Sequence, residues 1–305
     1  MKPVVVLTAK YPAIVREILS GLCDFVEHES EQGRSEEDMI TILSEADAAI
    51  TLLRDPLTRT VLAANPDLRM IANYAVGYDN ADIDAARELG VVITNTPGVL
   101  TEATADLTMG LMLALMRRIV EGDREVRTTG QCVWEPLHLL GTTLTGKRLG
   151  IIGMGRIGTA VAKRARAFGM EVSGTHRGQS LYELLATSDV VSVHAPLTEE
   201  TRHLLNADSL WAMKRGAFLI NTARGALVDD KALCDALDEG QLGGAGLDVY
   251  EDEPNVNSRL LAMPNVVLAP HIGSATEETR SAMARIAATD VAMFLRGQRP
   301  LHPVV

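Results

Sequence analysis

Aromatic residues make up only 4% of this 305-residue chain, so its core has to be packed from Val, Ile, Leu, Ala and Met. Cysteine is nearly absent. Cys23, Cys132 and Cys234 are odd in number and far apart, which argues against a disulfide framework or a zinc site and fits a reducing compartment. No apolar run approaches the ~18 residues of a membrane span, and Val4-Val5-Val6-Leu7 is too short for a signal sequence. A cytoplasmic protein with no membrane partner and no bound metal is therefore expected. An excess of basic charge is missing too: 29 Lys and Arg stand against 40 Asp and Glu, a net charge of −11, so there is no footprint for nucleic acid. A small anionic substrate stays admissible, because one local Arg outweighs a distant field.

What is present is an ordinary globular mixture, 47% hydrophobic and 23% charged, which excludes disorder as the main state. At ~100–200 residues per domain, the length suggests two domains. Short aliphatic runs alternate with helical patterns. Strands are predicted at 3–7, 48–52, 68–73 and 91–94, with a helix over 13–22. After the breaker Thr96-Pro97-Gly98, one long helix is predicted from Glu102 to about Asp123. Its segment 107–116 is apolar almost all round, so both sides need cover, from the core or across a dimer contact. Further strands are predicted at 149–152, 171–174, 190–193, 218–221, 246–249 and 266–268, with helices over 157–168 and 277–295. Such alternation implies α/β architecture with parallel sheets, here two doubly wound domains.

Gly153-Met154-Gly155-Arg156-Ile157-Gly158 fits G-x-G-x-x-G between a predicted strand and a predicted helix. The first glycine permits the tight turn, the second lets backbone approach a pyrophosphate, and the third lets helix pack on strand. A dinucleotide site is the reading. NAD sites place an acid at the end of the next strand, but here that strand runs out as Ser173-Gly174-Thr175-His176-Arg177. Arg177, with His176, suits a 2′-phosphate instead, so NADP(H) is expected over NAD(H).

Three polar residues stand just past aliphatic strands, where open α/β sheets bind ligands: Arg224, Glu253 and His271. Taken singly, each has an ordinary structural role. Beside a dinucleotide they make a hydride-transfer set. A cation holds a substrate carboxylate and polarises its carbonyl, a His protonates the oxygen, and a carboxylate beside that His favours its charged form and raises its pKa.

These residues sit in motifs that resemble the D-isomer-specific 2-hydroxyacid dehydrogenases. The matching stretches are 153–158, Val193-His194-Ala195-Pro196-Leu197, Asn221-Thr222-Ala223-Arg224-Gly225, Gly244-Ala245-Gly246-Leu247-Asp248-Val249, Glu253-Pro254 and Pro270-His271-Ile272-Gly273-Ser274-Ala275, in order over most of the chain. The resemblance implies a Rossmann dinucleotide-binding domain at 99–275. It also implies a discontinuous, flavodoxin-like substrate domain at 1–98 and 276–305, with the active site in the cleft between them. It implies the Arg224, Glu253, His271 triad, a carboxylate-binding turn at Val76-Gly77, and cofactor contacts at Thr104, Arg156, Ile157, Ala195, Pro196, Thr201, Thr222, Ala223, Asp248 and Gly273. Asp248 would stand by the nicotinamide carboxamide.

Within the family the chain looks most like the glyoxylate/hydroxypyruvate reductases, on the run 95–106, on Ser274 and on Trp134-Glu135-Pro136-Leu137-His138. The implied reaction is reduction of glyoxylate or hydroxypyruvate to glycolate or D-glycerate by a homodimer. There are two departures. His138 stands where a second Trp is usual beside the pocket. The segment after Arg177 is also shorter than usual, as though a short strand beside the adenosine were missing. The rival readings are the same fold acting on another 2-keto acid or phosphite with NADH, and a non-catalytic, dinucleotide-sensing corepressor.

Overall fold

The computed structural model describes residues 2–30, 33–175 and 180–305. The chain divides into two compact units, Met1–Leu100 with Ser274–Val305, and Thr101–Gly273.

The first unit runs β1 (Val4–Leu7), α1 (Ile14–Leu19), β2 (Asp24–Glu27), α2 (Glu36–Leu43), β3 (Ala48–Thr51), α3 (Arg59–Ala64), β4 (Met70–Asn73), α4 (Ile83–Leu89) and β5 (Val92–Thr94). The second runs α5 (Thr101–Met116), α6 (Ile119–Thr129), β6 (Arg148–Ile152), α7 (Arg156–Ala167), β7 (Glu171–Gly174), α8 (Leu181–Thr187), β8 (Val190–Val193), α9 (Ala207–Trp211), β9 (Ala217–Asn221), α10 (Asp230–Asp238), β10 (Leu242–Leu247), α11 (Ser258–Ala262) and β11 (Val266–Leu268). α12 (Glu277–Leu295) returns the chain to the first unit.

Every strand pairing in both sheets is parallel. The first sheet has the order β2-β1-β3-β4-β5, the flavodoxin-like winding. Because both of its faces are covered, β3 and β4 read as apolar runs closed by one polar residue each, Thr51 and Asn73, and are buried throughout. α1 and α12 pack on one face around Val5, Ile50, Ala72 and Ala288, and α2 to α4 cover the other around Val6, Ala49 and Ile71. The second sheet has the order β11-β10-β9-β8-β6-β7, the Rossmann arrangement with β7 at its edge among the described residues. An edge at β7 is what a shortened segment after it leaves.

Three predicted boundaries shift. The long helix breaks after Met116, because Arg118 takes a left-handed φ of 54° and restarts the chain as α6. α5 is buried along most of its length, whereas α6 buries no residue. β10 starts four residues earlier than expected and ends before Asp248. Its Leu-Gly-Gly-Ala-Gly-Leu sequence lacks the β-branched signature of a strand, because α5 lies too close for side chains. A Cβ on Gly244 would fall 2.9 Å from Leu115 Cδ1, and one on Gly246 3.3 Å from Leu111 Cβ. The first predicted helix is cut short where Gly21, at φ 76°, turns the chain into β2.

Candidate active site

β6 runs directly into the glycine loop, and α7 opens at Arg156. Gly153 has φ 95°, and a Cβ there would fall 2.7 Å from the Ala195 nitrogen, so only glycine fits this turn. A Cβ on Gly158 would lie 2.2 Å from the Gly153 carbonyl oxygen, which is the close helix-on-strand packing the motif requires. Gly155 has nothing within 4 Å and leaves bare backbone in front of the α7 N-terminus. First-turn N–H groups and the positive end of a three-turn helix stand behind it, so the loop fits a pyrophosphate. Arg156 and Ile157 form the first turn of α7. Ala195 and Pro196 follow β8 on the neighbouring strand, and the Thr201 hydroxyl donates to the Pro196 carbonyl at 2.8 Å, bracing that turn. Thr175 Oγ1 accepts the Gly153 N–H at 3.2 Å. His176 and Arg177, expected at the 2′-phosphate, lie outside the described residues.

Arg224, Glu253 and His271, the residues expected to form the hydride-transfer set, stand past the ends of β9, β10 and β11. Glu253 Oε2 lies 2.8 Å from His271 Nδ1, and its Oε1 accepts the Tyr250 N–H at 3.0 Å. An ionised carboxylate only accepts, so Nδ1 carries the hydrogen and Nε2 is turned away from Glu253. Burial lifts the Glu253 carboxyl. The hydrogen bond and charge of His271, the Tyr250 amide and the Arg224 cation together outweigh that and hold it below the usual carboxylate range.

His271 itself has a left-handed φ of 55°, a costly conformation for a residue with a Cβ. Asp248 stabilises it: one carboxylate oxygen accepts the Ile272 N–H at 2.7 Å and the other the Gly273 N–H at 2.8 Å. Asp248 is 1% exposed, and burial is the main reason its carboxyl is raised, against the pull of these two amides and of His271. Arg224 is set by Asn221, the last residue of β9. The Asn221 side chain donates to the Arg224 carbonyl at 2.9 Å and accepts the Ala223 N–H at 3.0 Å. Gly225 presses so closely on Tyr250 that a Cβ would fall 1.8 Å from its carbonyl carbon, which keeps the Arg224 turn against the loop carrying Glu253. α5 closes this end. Thr104 Oγ1 donates to the Gly273 carbonyl at 3.1 Å, and Thr108 Oγ1 lies 2.9 Å from Thr222 Oγ1.

Residues 109–273 match the family model for the D-isomer specific 2-hydroxyacid dehydrogenase NAD binding domain. Glyoxylate reductase from Thermococcus litoralis is 44% identical over 317 residues, covering 98% of this chain and 96% of that protein. The chain belongs to the D-isomer-specific 2-hydroxyacid dehydrogenases. Two solved structures match it over nearly its full length. The TT0316 protein from Thermus thermophilus has a TM-score of 0.93 and 46% identity, covering 99% of this chain and 100% of that one. An NADPH-dependent glyoxylate/hydroxypyruvate reductase from Sinorhizobium meliloti, in complex with NADP and malonate, has a TM-score of 0.86 and 33% identity, covering 100% and 97%. The chain is thus a nicotinamide-dependent dehydrogenase that reduces a 2-keto acid.

The other expected site residues of this dehydrogenase are placed as follows. Val76 and Gly77 lie in the first unit, in the turn after β4. Ser274 directly follows Gly273, and its carbonyl accepts the Thr276 N–H at 3.0 Å at the head of α12. Trp134 is 83% exposed, in the segment after α6, and His138 Nε2 lies 2.9 Å from Glu125 Oε1. No described helix is long and apolar enough to cross a membrane, and no cluster of potential metal ligands occurs among the described residues. Sequence reasoning missed Asn221, Thr108 and Tyr250 as supports of the site. Asn221 bonds only two and three residues along the chain, a local turn that its place at the end of β9 could have signalled, whereas the partner of Thr108 lies 114 positions away and becomes visible only in the fold. Tyr250 acts through its backbone and through a hydroxyl that donates to the Ala269 carbonyl at 2.8 Å.

Proposed function

We propose that this dehydrogenase reduces glyoxylate or hydroxypyruvate to glycolate or D-glycerate, with NADPH preferred over NADH. The observation that carries the reading is the 2.8 Å Glu253–His271 pair, which directs the hydrogen-bearing Nδ1 at Glu253 and leaves Nε2 to serve the substrate oxygen. The dinucleotide, held by the 153–158 loop with Thr104, Thr222, Asp248 and Gly273, supplies the hydride when bound. Arg224 binds the substrate carboxylate and polarises the carbonyl, and the Val76–Gly77 turn of the first unit is a carboxylate-binding turn. His271 delivers its Nε2 proton to the carbonyl oxygen, and Glu253 stabilises the imidazolium beforehand. A small keto acid agrees with the substrates named for the T. litoralis and S. meliloti relatives. The lack of an acid after β7 supports NADPH, as does the complex of the S. meliloti relative with NADP.

A homodimer is part of this reading. α6 and the segment after it expose Ile119, Val126, Val133, Trp134, Leu137 and Leu140, and large apolar side chains gathered on one stretch of surface mark interfaces.

Steady-state oxidation of NADPH and NADH against glyoxylate, hydroxypyruvate and pyruvate tests the proposal. Turnover of the first two with NADPH favoured is expected. A preference for NADH overturns the cofactor assignment, and absence of turnover with all three overturns the substrate assignment.

A further inference from the structure

The turn after β4 has an unusual division of its polar groups. Each carbonyl from residue 75 to 78 is taken inside the first unit: Ala75 by the Thr96 N–H at 2.8 Å, Val76 by the Asn95 side-chain amide at 2.7 Å, Gly77 by the Asn73 side-chain amide at 2.9 Å, and Tyr78 by the Ala81 N–H at 3.0 Å. The N–H groups of Val76, Gly77 and Tyr78 donate to no acceptor among the described residues. A run of backbone N–H groups turned the same way makes a concavity for an anion, provided their carbonyls are held back. Two of the four carbonyl restraints come from the backbone and would persist in most sequences. The two on Val76 and Gly77 come from side chains.

We propose that Asn73 and Asn95 are positioning residues for substrate. By donating to the Val76 carbonyl, Asn95 orients the peptide that carries the Gly77 N–H, and by donating to the Gly77 carbonyl, Asn73 orients the next peptide, which carries the Tyr78 N–H, so that this run of N–H groups faces the keto-acid carboxylate. The inference rests on the reading of the Val76–Gly77 turn given above. Both side chains are placed for this duty. Asn73 is the last residue of β4 and is fully buried, and its amide also reaches Asn80 Oδ1 at 3.3 Å. Asn80 in turn donates to the Asp55 carbonyl at 2.8 Å, which fixes the far side of the turn. Asn95, just past β5, has its own N–H bonded to the His302 carbonyl at 3.3 Å. The chain's last residues therefore hold Asn95 while it holds Val76. An aspartate is nearly isosteric at either position but cannot donate when ionised, and it repels the carbonyl it faces.

Kinetics of Asn95→Asp, Asn95→Ala and Asn73→Asp test the proposal, with melting temperature and dinucleotide KM measured in parallel. Expected is a rise of about tenfold in both the keto-acid KM and the inhibition constant of oxamate, a carboxylate analogue, from loss of one well-aligned charge-assisted contact. kcat and the dinucleotide KM should stay within about twofold, because ground-state and transition-state binding are weakened alike. A merely structural role predicts a lower melting temperature with keto-acid KM and oxamate inhibition unchanged, or all constants moving together. Either result overturns the proposal. If a variant does not fold, the remaining two decide. Turnover by the unaltered enzyme separates the two claims: without it the keto-acid reading falls and this inference with it, whereas with it unchanged variant constants remove this inference alone.

Discussion

His271 is held on both sides. Its ring is oriented by Glu253 and its left-handed backbone by the Asp248 bonds to Ile272 and Gly273. His271→Ala should lower kcat by on the order of a hundredfold or more, the usual contribution of a positioned proton donor. Dinucleotide affinity, measured by fluorescence titration, should stay the same. A variant that keeps its turnover would refute the proton-donor role. Glu253 provides a pH signature. Its depressed carboxyl makes a stabilising contribution that is complete above the ordinary carboxylate range and is lost only as pH falls through the lowered value. The three proposed residues could be picked out in the sequence, because each follows an aliphatic strand. The duty of Asp248 was not, since a strand-end carboxylate looks the same whether it faces a cofactor or two backbone amides 24 and 25 positions away.

Elements repeat this division. β7, β8, β11 and α12 stand where hydrophobic patterning put them: β8 is buried throughout and α12 buries one side, while β7 and β11, at the two ends of the strand order, bury no residue fully. The break between α5 and α6 was invisible, since no glycine or proline marks Arg117-Arg118 and the pattern stays helical across it. The break separates a buried helix from one that lies wholly at the surface. α6 and the following segment form the proposed dimer arm, so charge on that arm should separate the protomers. Trp134→Glu combined with Leu137→Glu should elute as a monomer in light-scattering chromatography, with the unaltered protein eluting as a dimer. Two identical masses would end the assignment. The C-terminal residues are tied down in a different way. Buried Asp290 on α12 accepts the Leu301 N–H at 2.8 Å and pairs with His302 at 3.0 Å, so the tail lies along β5 with a bridge from Thr94 to Pro303.

Stability of the whole molecule against pH is expected to conceal two opposed terms. Burial, then the charge of Glu251, lifts the Asp230 carboxyl to about 6. Burial pushes the His194 imidazole down to about 4, and its Nδ1 has no hydrogen-bond partner among the described residues. In the unfolded chain these groups return to ~3.9 and ~6.5. Between those limits the folded state binds the extra proton at Asp230, so that contribution to stability falls as pH rises. At His194 the unfolded chain binds the extra proton, so that contribution rises with pH. The slopes offset one another in the intact protein. Asp230→Asn should therefore make stability climb more steeply from about pH 4 to 6, and His194→Gln should make it decline, as read from urea midpoints across that range. Parallel curves for the three proteins would show that neither group carries the assigned shift.

The sequence by itself determined the alternation of strands and helices, the glycine loop, and the identity and order of the residues past the strand ends. Each of these is a local pattern: a period, a turn requirement, a short motif. Tertiary structure decided which groups those residues serve. It brings Thr104 to Gly273 across 169 positions, His271 to Glu253 across 18, and Asn95 to Val76 across 19. It also places glycines in β10 where α5 leaves no room for side chains. A hydrogen bond depends on distance and direction between two groups, and a strand's place in a sheet depends on its neighbours. Both are properties of the folded packing, and neither is encoded in the spacing of residues along the chain.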